Sequence, residues 1–420
     1  MRTSTFSRAL PVAAVVLAGA CAKDPELLLA PAPPATANAA FMSRYVAIGN
    51  SITAGYQSGG INDSTQRRAY PALIARALGT SYSAPFLTGP GCAPLPDAIT
   101  AFQAAAGTFT RPSTVCARTS TTTFLNNVAV PGANSANVTN APGSSGNPLT
   151  TLILGGRTQV ELAAAEDPTF VSVWIGNNDV LGSALGGDTT NATPVATFTA
   201  NYDRILAGLA NTPAVQEKHG LLIGVVNVTN VPSVFTAQAI VNNIGGFRTA
   251  FEQGFLRNGR TLQILPNCTA TTTAGVSVGY LLTVAAAAQA LPANQAIPFA
   301  CAPITIPGAG TIGTSGILDA AETAALSTRV AAYNAYIAQR AAALGWAYYD
   351  PNTTLARLKQ NPAVISPIPN LTSTAAPYGT ALSFDGIHPS ASAHVEIAND
   401  IIRAINAKYG SSIPLATALP

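Results

Sequence analysis

The stretch Tyr45-Val46-Ala47-Ile48-Gly49-Asn50-Ser51-Ile52-Thr53-Ala54-Gly55 decides the fold class of this chain. Its first four residues form the short apolar run expected of a buried strand, and a turn of glycine and polar residues follows immediately. Open α/β sheets place their ligand sites at the carboxyl ends of parallel strands. We therefore expect Ser51 to emerge at that edge of a central sheet.

The rest of the chain alternates β-like runs with helical patterns. Strands are predicted at 127–130, 169–175, 221–228 and 346–349, and helices near 71–78, 195–209, 320–344 and 391–407. Strands separated by helices indicate a parallel sheet covered on both faces, so we predict an α/β fold with three layers, α/β/α. The rhythm breaks between about residues 232 and 315, which we interpret as a long insertion, either a lid or a structural elaboration.

The composition excludes two classes of protein. The 420 residues are 48% apolar and only 9% charged, against roughly 25% charged in an average soluble domain. The formal net charge is +3. A disordered polyelectrolyte and a basic nucleic-acid-binding protein both need more charge, so we expect no nucleic-acid partner.

The N-terminus has the pattern of a secretory signal peptide. Arg2 and Arg8 precede an uncharged run over residues 9–20, which is about half the length that spans a bilayer. We predict a signal peptide over residues 1–20, a tether rich in proline and alanine over 21–40, and a single domain over 41–412 that carries the insertion.

The end of this segment, Leu17-Ala18-Gly19-Ala20-Cys21, resembles a bacterial lipobox, in which cleavage precedes a cysteine that is then lipidated. That resemblance predicts an envelope lipoprotein, periplasmic or at the outer membrane, attached to the membrane only through Cys21. Ordinary cleavage after Ala20 or Ala22 is the alternative and gives a freely secreted protein.

The cysteines are consistent with an oxidising compartment. Assigning Cys21 to lipid leaves Cys92, Cys116, Cys268 and Cys301, an even number. Three disulfide connectivities are possible, and the simplest joins sequence neighbours, Cys92 with Cys116 and Cys268 with Cys301. None of these cysteines forms a CxxC pair, so we predict no zinc site.

Two short motifs match the fingerprints of a dinucleotide site and of a serine nucleophile in pattern only. Gly308 to Gly313 fits the GxGxxG dinucleotide fingerprint, but no adequate strand leads into it. Gly275 to Gly279 fits the GxSxG nucleophile turn around Ser277, which requires a strand before the serine and a helix after it. Residues 269–274 lack the apolar run of a central strand. We expect neither motif to carry chemistry.

Three further segments, like the Ser51 turn, place polar side chains in a short turn that contains glycine. They are Asn127-Val128-Ala129-Val130-Pro131-Gly132-Ala133, Val173-Trp174-Ile175-Gly176-Asn177-Asn178-Asp179 and Asp385-Gly386-Ile387-His388-Pro389. The first two are strands that end in tight polar turns, and the third places a carboxylate three residues before a histidine. Together with the Ser51 turn, and in this order, they resemble the four blocks of the SGNH, or GDSL-type, hydrolase family.

That resemblance implies the flavodoxin-like fold of the family and a role for each matching residue. Ser51 would be the nucleophile, His388 its general base, and Asp385 the group that orients the imidazole. The backbone N–H groups of Ser51 and Gly132 and the side-chain amide of Asn178 would form the oxyanion hole. No metal ion or cofactor is implied.

Nucleophilic catalysis by a serine requires the same residue types. A serine hydroxyl is a weak nucleophile until an imidazole accepts its proton, and that imidazole needs its other nitrogen held. Gly386 permits the tight turn that brings Asp385 back under the ring. The family usually has aspartate before the nucleophile, whereas this chain has Asn50, which leaves the local turn geometry open.

We therefore predict a secreted or envelope-anchored serine esterase or lipase that cleaves carboxylic esters through an acyl-enzyme. The apolar run 280–291 could line an acyl pocket. A carbohydrate O-acetyl esterase of the same fold is the first alternative, and a non-catalytic binding lipoprotein is the second. Two other side chains of note, Trp174 and His394, are expected to pack in the core.

Overall fold

The computed structural model describes residues 37–57, 60–87, 124–140, 146–256, 258–302, 304–306, 310–312, 316–373 and 375–419. The predicted signal peptide, Cys21, most of the tether, Cys92 and Cys116 lie outside these residues. Within the described ranges no helix is long and apolar enough to cross a membrane.

The described strands and helices follow one another in a mixed α/β order. The strands are β1 (Tyr45–Gly49), β2 (Phe170–Trp174), β3 (Gly220–Ile223), β4 (Val234–Thr236), β5 (Thr261–Ile264), β6 (Gly275–Ser277), β7 (Ala296–Phe299), β8 (Ile304–Ile306), β9 (Gly310–Ile312), β10 (Ile317–Leu318) and β11 (Ala347–Tyr349). The α-helices are α1 (Ser51–Ala54), α2 (Asp63–Arg67), α3 (Tyr70–Leu78), α4 (Leu149–Leu154), α5 (Gln159–Ala165), α6 (Asn178–Gly186), α7 (Val195–Gly208), α8 (Pro213–Gln216), α9 (Gln238–Val241), α10 (Phe247–Phe251), α11 (Val278–Gln289), α12 (Ala320–Leu344), α13 (Pro351–Leu358) and α14 (Ala391–Tyr409).

The central sheet is parallel, with the spatial order β1-β2-β3-β11. A further stretch runs parallel to the free edge of β1, where the N–H of Ala47 bonds to the carbonyl of Asn126 and the N–H of Val130 to that of Gly49. When this stretch is included and the five strands are numbered by their position along the chain, their spatial order is 2-1-3-4-5. That order is the flavodoxin-like arrangement. The predicted central parallel sheet is confirmed.

Helices cover both faces of this sheet because successive strand side chains point to opposite sides. Val46 and Ile48 of β1 pack in one core with α5, α7 and α12. Tyr45 and Ala47 pack in a second core with α3 and α14. Every residue of β1 and β2 is buried. The predicted three-layer α/β/α fold is therefore confirmed.

One predicted strand is shorter than expected. The sequence indicates a strand over 221–228, but β3 ends at Ile223. Beyond it, the N–H of Val225 donates to the Asn334 side chain and the N–H of Val226 to the Asn177 side chain. Side-chain amides from distant segments replace the strand ladder there, and an apolar pattern does not reveal such partners.

The segment between β4 and β10 builds a core of its own. Strands β4, β6 and β10 form an antiparallel sheet, β5 pairs with β7 in parallel, and aromatic side chains such as Phe235, Phe251 and Phe299 fill the interior. A disulfide joins Cys268 and Cys301, the predicted partners, with their Cα atoms 5.2 Å apart. We call residues 232–315, the insertion that the sequence predicts, the insertion.

The apolar run 280–291 packs in this core, with Tyr280, Leu281 and Val284 nearly inaccessible. The run therefore belongs to the core of the insertion, and none of its residues lines the apolar cavity beside Ile52. A helix that is apolar on most sides is generally a buried one, and here the insertion supplies the partners that bury it.

The two motifs set aside above have structural explanations. The described part of 308–313, residues 310–312, is strand β9, which pairs antiparallel with β8. Against expectation, Ser277 lies between strand and helix, since it is the last residue of the three-residue β6 and α11 begins at the next residue, but β6 belongs to the antiparallel sheet. Ser277 is fully buried, and its Oγ accepts the N–H of Tyr280 at 3.1 Å. It serves as the N-cap of α11.

Candidate active site

The turn after β1 presents Ser51 as the first residue of α1. Asn50 caps this helix, since its Oδ1 accepts the N–H of Ile52 at 3.2 Å. Gly49 has no room for a side chain, because a Cβ there would lie 2.1 Å from Oγ1 of Thr53. Asn50 thus supplies the local hydrogen bond that the turn needs, and Ser51 emerges at the carboxyl end of β1 as the strand pattern predicts.

The segment before α14 folds Asp385 back toward His388. One carboxylate oxygen, Oδ1, accepts the N–H of Ile387 at 2.9 Å, the N–H of His388 at 2.8 Å and the hydroxyl of Ser383 at 3.1 Å. The other oxygen, Oδ2, lies 2.6 Å from Nδ1 of His388. Gly386 adopts φ +67°, a left-handed conformation that favours glycine.

The fold brings this turn to Ser51 across 337 residues of sequence. Nε2 of His388 lies 2.8 Å from Oγ of Ser51, so Ser51, His388 and Asp385 form one continuous hydrogen-bonded chain. The ring of Tyr56 lies against the imidazole, with 4.8 Å between ring centroids. Ser51 and His388 are each exposed by less than a tenth of their surface.

The carboxylate in this chain stays ionised. Burial by itself raises the pKa of Asp385, but attraction to His388 and the hydrogen bonds from the turn outweigh burial and hold the pKa below its ordinary value. An ionised partner favours a proton on Nδ1 of His388, which leaves Nε2 free to accept the proton of Ser51.

The predicted oxyanion donors come from the turns that follow neighbouring strands. Gly132 comes two residues after Val130, which bonds to Gly49 of β1, and Asn178 comes four residues after Trp174, which pairs with Gly49 on the other side. Among the described residues, no backbone acceptor pairs with the N–H of Gly132 or Ser51. The strand register therefore places the three turns at one edge of the sheet.

The side chain of Asn178 is tied to the Gly132 turn. Its Nδ2 donates to the carbonyl of Ala133 at 2.8 Å. A side-chain amide carries two N–H groups, so one remains for a ligand. The bond to Ala133 fixes the orientation of the amide, which suits a donor whose task is to meet an oxygen at a defined position.

Asp179 is a site residue whose role sequence reasoning missed. Its carboxylate accepts the N–H of Ser135 at 2.8 Å and the hydroxyl of Ser135 at 2.6 Å, and it is almost fully buried. It thereby ties the turn after β2 to the segment that carries Gly132. A carboxylate directly after Asn178 was the available signal, but short turns contain aspartate for local reasons as well.

An apolar cavity is lined by residues adjacent in sequence to Ser51 and His388. Its walls include Ile52, Trp174, Leu355, Ile365, Ile387 and Pro389. None of Ser51, Asp385 and His388 lines it, but Ile52 follows the serine in sequence, and Ile387 and Pro389 flank the histidine. The cavity therefore begins one residue away from both catalytic candidates.

Trp174 and His394 both pack in the interior, as expected. Trp174 is 1% exposed and His394 is fully buried. Burial lowers the pKa of His394 to about 3, so the ring stays neutral. Nδ1 of His394 accepts the N–H of Tyr70 at 3.3 Å. In the described part of the chain, no group of three or more His, Cys, Asp and Glu side chains is arranged to hold a metal ion.

Comparison with known proteins assigns the chain to a family. The sequence matches the model of the GDSL-like lipase/acylhydrolase family over residues 45–401. No curated protein sequence matches it. Among solved structures it is similar to a mutant acetyl-xylooligosaccharide esterase from Geobacillus, with 13% identity, TM-score 0.36, and coverage of 86% of this chain and 94% of that one. It is likewise similar to an extracellular lipase from Streptomyces rimosus, with 15% identity, TM-score 0.36, and coverage of 87% and 98%.

The family match carries the assignment, since the two structural likenesses are too distant to add to it. It spans most of the chain and includes all four blocks that the sequence singled out. This chain therefore belongs to the GDSL-like lipase/acylhydrolase family and is a carboxylic ester hydrolase.

Proposed function

We propose that the protein hydrolyses carboxylic esters through an acyl-enzyme on Ser51, with His388 as the general base and Asp385 as its partner. The observation that carries this proposal is the chain of short contacts from Oγ of Ser51 to Nε2 of His388 at 2.8 Å and from Nδ1 of His388 to Asp385 at 2.6 Å. A hydroxyl within reach of a base that is itself oriented by a third group is the arrangement that an activated nucleophile requires.

Acylation would begin when Nε2 of His388 accepts the proton of Ser51 as Oγ attacks the ester carbonyl carbon. The negative charge that develops on the carbonyl oxygen would be met by the N–H groups of Ser51 and Gly132 and by the amide of Asn178. Collapse of the tetrahedral intermediate breaks the bond to the alkoxy oxygen, which takes the proton from His388 and leaves as an alcohol.

Deacylation would repeat the sequence with water. Nε2 of His388 accepts a proton from the water molecule that attacks the acyl carbon, and the same donors hold the second oxyanion. The proton then returns to Oγ of Ser51 as the carboxylic acid departs. Asp385 stays ionised throughout and stabilises the imidazolium that forms in each half-reaction.

An apolar acyl group fits the neighbourhood of the triad better than a polar one. The cavity beside Ile52 and Ile387 is lined almost entirely by hydrocarbon, and Thr354 is the one residue in its lining with a hydroxyl. We propose a lipid or other long-chain ester as the substrate. Initial rates on p-nitrophenyl esters from acetyl to palmitoyl test this, and a maximum at acetyl would favour the carbohydrate O-acetyl esterase instead.

We further propose that the enzyme acts outside the cytoplasm and is attached through a lipid on Cys21. The support is the signal-like pattern over residues 1–20 followed by the lipobox-like residues 17–21. Metabolic labelling with an alkyne fatty acid is expected to mark the wild type but not Cys21→Ala. An unlabelled wild-type protein whose mature N-terminus lies at residue 21 or 23 would instead support ordinary secretion.

A fluorophosphonate probe tests the nucleophile directly. The wild type is expected to carry the adduct on Ser51, Ser51→Ala to lose it, and Ser277→Ala to keep it. An adduct on Ser277, or none on the folded wild type, would refute the proposed mechanism. The second result, with no turnover of any ester, is what a non-catalytic binding lipoprotein would give.

A further inference from the structure

The turn that carries His388 is held from outside by a residue of the insertion. The carbonyl of Gly386 accepts two hydrogen bonds from Ser233, one from its hydroxyl at 3.1 Å and one from its N–H at 3.3 Å. The two residues are 153 positions apart, and Ser233 is only 3% exposed. Water therefore cannot readily replace this contact.

Ser233 is in turn fixed to the body of the insertion. Its own carbonyl accepts the N–H of Val278, the first residue of α11, at 3.0 Å. The next residue, Val234, begins β4 and pairs with Ser277 of β6. Both sides of the Ser233 peptide are thus anchored, and its donors cannot move without the antiparallel sheet.

A second contact joins the same turn to the core of the insertion. The ring of Tyr378 lies so close to Gly386 that a Cβ there would be 2.5 Å from it. Tyr378 is 1% exposed and packs in one hydrophobic cluster with Phe235, Tyr280 and Phe299 of the insertion. The turn is therefore supported by packing as well as by hydrogen bonds.

This support matters because the bonds within the turn do not fix its position relative to Ser51. Its internal bonds, from Asp385 to His388 and from the N–H of Ser383 to the carbonyl of His388 at 2.9 Å, keep the carboxylate and the imidazole together. They do not set the distance from His388 to Ser51, which belongs to another segment. A catalytic group displaced by about 1 Å can cost about a hundredfold in rate.

We propose that the insertion is a buttress for the acid-base turn and that Ser233 is a positioning residue for His388. This inference rests on the proposed function, since it assigns Ser233 a role in placing the proposed base. The insertion is then a structural support rather than a lid, and it reaches the turn of Asp385 and His388 through the carbonyl of Gly386.

Ser233→Ala tests the proposal, and Ser277→Ala is the matched control. Both remove a buried hydroxyl from the insertion, but the hydroxyl of Ser277 caps α11 and does not contact the turn. We expect kcat on a p-nitrophenyl ester to fall about tenfold in Ser233→Ala with KM changed less than about twofold. Ser233→Thr, which keeps the hydroxyl, should recover most of kcat, and Ser277→Ala should keep wild-type kcat.

A second variant reaches the same contact without altering Ser233. Val278→Pro removes the N–H that anchors the Ser233 carbonyl, at the first position of a helix, where proline is tolerated. Thermal unfolding should show it folded, and its kcat should fall as well. If both Ser233→Ala and Val278→Pro keep the kcat of Ser277→Ala, the buttress is refuted. Labelling of Ser51 by the fluorophosphonate in the wild type decides the proposed function separately.

Discussion

Replacing Asp385 by asparagine separates the catalytic role of this carboxylate from its structural one. In the native turn Oδ1 accepts three hydrogen bonds, two of them from the N–H groups of Ile387 and His388. The carbonyl oxygen of an asparagine can keep all three. Turning the amide over would set its NH2 group against two N–H donors, at about 1 to 3 kcal/mol for each one left without an acceptor. The amide NH2 must therefore occupy the place of Oδ2.

In that orientation the NH2 group donates to Nδ1 of His388, which lies 2.6 Å from Oδ2 in the native structure. The proton of the neutral ring is then forced onto Nε2, the atom that has to accept the proton of Ser51. The same change of tautomer in a well-studied serine protease lowers kcat by about 10⁴-fold. That corresponds to about 5 kcal/mol in the activation barrier. We expect a loss of that size in Asp385→Asn.

Steady-state hydrolysis of a p-nitrophenyl ester measures the loss, and thermal unfolding with circular dichroism checks that the variant is folded. Asp385→Ala is the comparison, because it also leaves the N–H groups of Ile387 and His388 without an acceptor and should lower the unfolding temperature. A folded Asp385→Asn enzyme with more than about a tenth of wild-type kcat would refute the tautomer argument.

Three further outcomes follow from the same site. The pKa of Asp385 is lowered in the folded protein, so its contribution to stability is complete above the unfolded pKa of about 3.9 and is lost as the pH falls through the folded value. Urea titrations should therefore show that the free energy of unfolding falls more steeply with acid in the wild type than in Asp385→Asn. Equal slopes would contradict this. Gly386→Ala should lower stability by about 2 kcal/mol or more and abolish most activity, because Gly386 has φ +67° and the ring of Tyr378 leaves no room for a Cβ. Gly410→Ala is the control that isolates the backbone strain, since Gly410 has φ +62° but open space around it. Asn178→Ala should lower kcat by about 10² to 10³ with KM little changed, and a loss confined to KM would remove it from the oxyanion hole.

The local segments of the site were predictable because each one folds within a few residues. Asp385 reaches His388 through a turn of three residues, which a glycine at 386 permits, and Ser51 directly follows a strand that hydrophobicity alone reveals. The alternation of strands and helices sufficed for the three layers. Such features depend on near neighbours in sequence, and near neighbours are what a pattern records.

Features that depend on hydrogen-bond or packing partners far along the chain were harder to predict. The strand that ends at Ser277 has three residues and exists because Val234 and Ile317 supply its neighbours from far along the chain. The same reason hid the early end of β3, where side chains of Asn334 and Asn177 take over the backbone N–H groups. An apolar run such as 280–291 likewise does not reveal whether it faces a cavity or a core.

The sequence by itself thus determined the sheet, its helices and the residue types of the site, since short-range periodicity and turn chemistry encode all three. Only the tertiary structure decided the 2.8 Å contact between His388 and Ser51, the tie from Asp179 to Ser135, and the two bonds from Ser233 to Gly386. These contacts join segments that meet only when the strands pack in register. Their geometry belongs to the packed sheet and the insertion together, and no single stretch of sequence contains it.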